Sequence, residues 1–199
     1  MRLFLTTILV ALTSTSFASA KLASGKYNID PMHSKVGFEI AHLVISSVEG
    51  KFKTFSGTIT VDEKFEKKKL DADIEIASID TSVNDRDAHL KSPDFFDADK
   101  YPKMTFKSSA IKGTPESFKL IGDLTIKGKT KKVTFESVYK GTVADAYGNQ
   151  KAAFVATTKI NRRDFDLTWS NLVEAGPIVG DEVTLELKIQ AALDKPIKK

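Results

Sequence analysis

An all-β antiparallel barrel of about eight strands, with one short helical or loop excursion, is the fold this chain predicts. Three observations lead to it. Beyond residue 21, apolar and polar residues alternate with a period of two through run after run, the pattern of strands buried on one face. Turn residues separate these runs at hairpin spacing, as at Lys127-Gly128-Lys129 and Asp145-Ala146-Tyr147-Gly148-Asn149. No stretch shows the strand-helix-strand alternation of a parallel sheet.

The first element differs from all the rest. Met1-Arg2 carries the only charge of residues 1–20, Leu3 to Leu12 is mostly apolar, and Ala18-Ser19-Ala20 fits a small-residue cleavage site. This composition reads as a secretory signal peptide on a single domain spanning 21–199, and it implies an exported, periplasmic protein with no transmembrane anchor. The apolar stretch is short for a bilayer span, which needs about 20 residues.

Successive strands then follow. Val36, Phe38 and Ile40 share one face, and the apolar parity switches between Val48-Phe52 and Phe55-Ile59-Val61, so one long strand turns a corner near Lys53-Thr54. Further inward faces are Leu70-Ala72-Ile74-Ile76, Met104-Phe106-Ser108-Ala110 and Phe118-Leu120-Gly122-Leu124-Ile126. Val133-Phe135, Ala152-Phe154-Ala156-Thr158-Ile160 and Val183-Leu185-Leu187-Ile189-Ala191 complete the set. Two stretches break the period: Asn84 to Tyr101 reads as short helix and loop, and Asn161 to Asp181, with Trp169, reads as a long connection. Long connections of this kind serve as lids or binding loops, which places both at the mouth of any cavity. The basic tail Lys195 to Lys199 reads as frayed.

A sandwich would also use these strands, but closure into a barrel accounts better for the corner. The inward faces carry no Asp, Glu, Lys or Arg, and small residues at Ala72, Ser108, Ala110, Gly122, Ala152 and Ala156 stand among the Phe and Leu. Either facing bulky residues complement these small ones, or an apolar tunnel remains. The expected lining is Phe38, Phe52, Phe106, Leu124, Phe135 and Phe154, with Trp169 on the second long connection.

Composition removes several function classes. Hydrophobic residues are 41% and charged residues 28%, as in a globular protein with a core. With no Cys, disulfides, thiolate metal sites and Cys nucleophiles are excluded. The net charge of +4 comes from interspersed acids and bases and calls for no nucleic-acid partner. There is no G-x-S-x-G, H-E-x-x-H or G-x-G-x-x-G. The spacing from Gly122 to Gly128-Lys129-Thr130 is one residue too long for a phosphate loop, and the hairpin context is wrong for one. His33, His42 and His89 lie at no paired ligand spacing, so neither metal nor cofactor is expected.

The densest polar groups are Asp80, Asn84, Arg86, Asp87 and His89, then Asn161, Arg162, Arg163 and Asp164. They read as turn caps and loop ion pairs, or as groups meeting the head of an amphipathic ligand, since guanidinium suits phosphate and polarised carbonyl oxygens. On the second reading His33, Arg86, His89 and Arg162 are the polar contacts. Lys67-Lys68-Lys69 and the Lys127 to Lys132 run read as solvated hairpin ends, or as contacts for an anionic lipid surface.

The order and spacing of several blocks resemble the YceI-like, polyisoprenoid-binding family. They are Tyr27-x-Ile29-Asp30-Pro31-x-His33-Ser34, Gly50-x-Phe52-x-x-Phe55-x-Gly57, Ile79-Asp80-Thr81 and Arg86-Asp87-x-His89-Leu90. Asp94-Phe95-Phe96-Asp97, Asn161-Arg162-x-Asp164-Phe165 and Val179-Gly180-Asp181-Glu182-Val183 follow in place. The resemblance implies a lipocalin-like antiparallel β-barrel whose apolar tunnel holds a long isoprenoid or similar amphiphile such as a polyprenyl phosphate or quinone, with no established catalytic residues. Pro177 departs from the family's glycine before the Val-Gly-Asp-Glu block. The function expected is a periplasmic lipid carrier. The alternatives are a hydrolase or isomerase acting on such a lipid through His33 or His89 with Asp80 or Asp87, and a module with a packed interior. A homodimer is compatible with exposed strand edges.

Overall fold

The computed structural model describes residues 22–62, 67–170, 172–173 and 176–194. The expected signal peptide, residues 1–20, and the tail from Lys195 lie outside the described residues. In chain order the elements are β1 (Gly25–Ile29), β2 (Lys35–His42), β3 (Ser46–Phe52), β4 (Phe55–Val61), β5 (Lys69–Glu75) and β6 (Ile79–Asp80). There follow α1 (Asn84–Lys91), β7 (Lys103–Thr114), β8 (Ser117–Ile126), β9 (Lys129–Ala144), β10 (Gln150–Asn161), β11 (Leu172–Val173), β12 (Gly176–Pro177) and β13 (Val179–Leu193). The main sheet runs β1-β4-β5-β7-β8-β9-β10-β13-β2-β3-β6, and β1 also pairs with β13.

This order is a closed barrel of 8 antiparallel staves among the described residues, because three staves are each made of two strands, β5 and β6 being one of them against β4 and β3. β1 and β2 form one, both lying against β13. β3 and β4 form the next, with the corner at Lys53-Thr54 resetting the parity so that Phe52 and Phe55 are both buried. There the backbone N–H of Lys53 donates to Ser78 O at 3.1 Å and that of Glu75 to Thr54 O at 3.0 Å, which satisfies the bent segment.

The first stave is interrupted by a short 3-10 turn, Pro31–His33. Proline supplies no N–H for the ladder, and side chains repair the gap. Asp30 N–H donates to Gln190 O at 2.9 Å, Gln190 Nε2 donates to Asp30 Oδ2 at 3.2 Å, and Gln190 N–H donates to Ser34 Oγ at 3.0 Å. Met32 N–H caps onto Asp30 Oδ1 at 3.1 Å. Burial by itself would raise the Asp30 carboxyl. Hydrogen bonds from His33, Gln190 and the Met32 N–H outweigh it and hold Asp30 below the usual carboxylate range.

Two inward assignments change. A bulge between Ser108 and Ala110 shifts β7 by one residue, so Ile111 faces the core and Ala110 does not. The Ser108 hydroxyl accepts from Leu70 N–H at 2.8 Å in its place. Gly122 leaves no space: a Cβ there would lie 2.4 Å from Phe106 Cζ and 2.5 Å from Lys107 O. Phe106 already fills that volume and packs edge-on against Phe135 at 5.5 Å. Ala152 belongs to the closed end of the barrel, where it packs with fully buried Tyr27, Ile59, Val61 and Ala191.

Because the Asp30 carboxyl is held low, its contribution to stability is complete above the unfolded-state value and disappears as pH falls through the lower folded value. Replacing Asp30 with Asn should weaken the acid dependence of urea unfolding below about pH 4 and destabilise the protein by ~1–2 kcal/mol at neutral pH. An unaltered acid limb in the variant would show that Asp30 does not carry this seam.

Candidate functional site

Between the staves lies a cavity of about 550 Å³, within the range of small-molecule sites. It sits off-centre. The β7, β8 and β9 wall is close-packed, with Met104, Phe106, Ile111, Phe118, Leu120, Leu124, Ile126 and Phe135 all buried. The opposite wall, from β2, β10 and β13, presents Val36, Phe38, Phe154, Val183, Leu185 and Leu187, which face inward and yet stay only partly buried. Inward aliphatic side chains that keep accessible surface mark space the interior does not fill.

The mouth is built by the two connections that broke the strand pattern. α1 begins with Asp85 and Asp87 in its first turn and ends with His89 and Lys91, a charge order that complements the helix dipole. Arg86 donates from Nε to Thr81 Oγ1 and from Nη2 to Thr81 O, both at 2.8 Å, while Asp87 accepts from Thr81 N–H at 2.9 Å and from its hydroxyl at 2.6 Å. This pair anchors the helix to the rim. His89 then packs edge-on against Phe95 at 5.0 Å and Trp169 at 5.1 Å, and Phe95 lies 5.1 Å from Trp169. The three rings join the helix, the loop after it and the second connection across the opening. His89 Nε2 also pairs with Asp94 Oδ2 at 3.1 Å.

Arg162 holds the second connection in place. Its side chain is only 3% exposed. Nε donates to Gly180 O at 2.8 Å, and Nη1 donates to Trp169 O at 2.8 Å and to Leu167 O. Nη2 approaches Asp181 Oδ1 at 3.1 Å as an ion pair but without the alignment of a hydrogen bond, and it is otherwise unpartnered. Burial pulls the guanidinium below its usual range, Asp181 opposes the shift and Arg163 adds to it. Asp181 is shared with Arg163 Nε at 2.8 Å.

Of the residues expected to line the site, Phe38, Phe52, Phe106, Leu124, Phe135, Phe154 and Trp169 all border the cavity, as do Arg86, His89 and Arg162. His33 does not. It lies on the outside of the barrel, 66% exposed, with Nδ1 2.9 Å from Asp30 Oδ2. The turn that repairs the first stave sets its place. Sequence reading missed His42, Asp85, Phe95, Phe96, Leu167 and Ile178, which also border the cavity. Most of these stand on loops or rim positions, where strand periodicity carries no signal. Among the described residues no group of three or more His, Asp or Glu is placed to hold a metal ion. No helix among them is long and apolar enough to cross a membrane.

Residues 27–191 match the model of the YceI-like domain. The chain belongs to the YceI-like family. It is 36% identical over 185 residues to Protein YceI of Escherichia coli O6:H1, covering 92% of this chain and 94% of that protein. The crystal structure of BcnA from Burkholderia cenocepacia superposes with a TM-score of 0.72 at 29% identity, covering 81% of this chain and 98% of that one. A polyisoprenoid binding domain from Saccharophagus degradans, implicated in plant cell wall breakdown, shares the fold at 13% identity with a TM-score of 0.64, covering 84% of this chain and 98% of that one. The chain is thus a YceI-like barrel that encloses an apolar hollow.

Replacing Arg162 with Met in this YceI-like chain should cost ~2–4 kcal/mol in urea unfolding, because three buried carbonyls lose their donor. It should also shift Trp169 emission to the red as the connection loosens. Arg162→Lys should not restore either property, since one ammonium lacks the forked geometry that reaches all three carbonyls. Recovery by Lys would show that charge alone is what the site requires.

Proposed function

We propose that the protein is an exported, periplasmic carrier that takes a long isoprenoid or similar amphiphile into the barrel, tail first, without transforming it. The partly buried inward wall of β2, β10 and β13 carries this reading. Every ~100 Å² of apolar tail placed against such a wall contributes about 2.5 kcal/mol. A polar or charged substrate finds few partners there, since the residues bordering the cavity are chiefly aliphatic and aromatic. The polyisoprenoid binding domain that shares the fold supports the ligand class, and the signal-like composition of residues 1–20 supports export.

On this reading Phe38, Phe52, Phe106, Leu124, Phe135 and Phe154 contact the tail. Arg86, His89, Arg162 and Trp169 stand beside the polar end at the mouth. Arg86 and Arg162 are largely committed to Thr81 and to the backbone of the second connection, so the head group is held by few groups and affinity comes chiefly from the tail. His33, on the outer face, has no part in ligand contact.

Native mass spectrometry of protein purified from the periplasm, followed by organic extraction, should reveal a co-purifying lipid that is chemically unchanged after incubation. Leu187→Trp projects into the open side of the cavity from β13, opposite Val36 and Ala156. It should abolish or strongly reduce loading while leaving the melting temperature equal or higher, because it fills space instead of creating it. Full lipid loading in a folded Leu187→Trp protein, or a converted lipid in the parent, would overturn the carrier reading.

A further inference from the structure

The hairpin that joins β2 to β3 closes through three residues, Leu43-Val44-Ile45, between the paired His42 and Ser46. Its composition runs against both its conformation and its surroundings. Leu43 has φ 51 and Val44 φ 66, the left-handed region in which a β-branched residue is a costly outlier and Gly or Asn is the usual occupant. Val44 is 67% exposed and Ile45 90% exposed. Two other hairpins carry the usual turn residues, with Lys127 at φ 47 as their one non-glycine in the left-handed region. Lys127-Gly128 places glycine at φ 73, and the Asp145 to Asn149 turn is closed by the Asp145 carboxylate, with Gly148 at φ 73. In water, then, one tip out of these bears both backbone strain and exposed aliphatic side chains.

Its place in the barrel gives these costs a use. The tip stands at the mouth: His42 borders the cavity, and Leu43 N–H donates at 2.9 Å to the carbonyl of Ile178, which also borders it. From Ile40 through Val48 the hairpin contains no Asp, Glu, Lys or Arg. It can enter a hydrocarbon phase without burying a formal charge, the step that would otherwise forbid it. On the neighbouring β13, Gly180 lies against Ala41, and the adjacent Asp181 pairs with Arg163 at 2.8 Å.

We propose that the Leu43-Val44-Ile45 tip inserts into the surface of a lipid bilayer and brings the cavity mouth against it, so that the amphiphile passes between membrane and barrel without crossing water. This rests on the carrier reading and adds to it the surface from which the ligand is taken. The attraction is apolar, so it is indifferent to lipid charge and to salt, unlike a polybasic contact.

The test uses the parent and Val44→Asn/Ile45→Ser, a variant whose Asn suits the left-handed backbone and which should melt no lower than the parent. Parent protein should co-sediment with phosphatidylcholine vesicles equally well in low and high salt, and the variant should bind them about tenfold more weakly or worse. Both proteins should bind farnesol from buffer with equal affinity, read from Trp169, the only tryptophan. Equal vesicle binding by the two proteins, no binding by the parent, or binding that salt removes would overturn the proposal. A parent that is dimeric and binds no vesicles, beside a monomeric variant, would overturn it in favour of a second copy covering the tip. Failure of both proteins to bind farnesol would instead refute the carrier reading, with the vesicle measurement still deciding on the tip.

Discussion

Closure of the sheet between its first and last staves is the constraint on which the rest of the molecule depends. An open sheet of this length would leave a row of unpaired N–H and C=O groups at each edge. β13 removes both edges by pairing along its upper part with β2 and at its lower end with β1. The proline turn between those two strands is the weak point of the seam, and Asp30, Ser34 and Gln190 bridge it with side-chain bonds. The Asp30 to Ser34 block, whose His33 was expected to meet the ligand, is therefore a closure device. It keeps the ring intact where the backbone ladder is interrupted.

Once the ring is closed, side-chain volume decides whether it is solid or hollow. Bulky residues on β7, β8 and β9 interlock around the glycine at 122, and this half of the interior reaches close packing. The facing half is lined by Val36, Phe38, Phe154, Val183, Leu185, Leu187 and Ala156, most of which stay only partly buried. The hollow is thus a mismatch between one wall that is packed to capacity and another that is not. Such an arrangement retains a firm scaffold while leaving room for a guest, since one wall is buried against its own neighbours before any guest arrives.

The mouth follows a different logic, because it is made of irregular chain whose backbone groups the sheet does not satisfy. Arg162 supplies donors to three carbonyls of the second connection, and Arg86 with Asp87 ties α1 to Thr81. The charged residues nearest the apolar site are in this way largely structural. Their commitments explain how a buried guanidinium is tolerated at the edge of an oily cavity: backbone carbonyls take the place of water, and Asp181 balances its charge.

Alternation of apolar and polar side chains, read from the chain alone, determined the class of fold, the corner at Lys53-Thr54, the hairpin at Lys127-Gly128 and most of the inward faces, because period-two patterning is a local property of a half-buried strand. It failed where one residue is added to a strand, as at the β7 bulge that turned Ala110 away from the core and Ile111 toward it. Gly122 and Ala156 look equally small in the sequence. Only the tertiary structure shows that Phe106 occupies the first space while the second residue borders the cavity. Likewise His33 and His89 were both expected to be polar contacts, and only the folded chain separates them, one outside the seam and the other edge-on to Trp169. Which small side chains leave a void, and which loop residues meet across a mouth, depend on the positions of residues far apart in the chain, and those positions exist only once the sheet has closed.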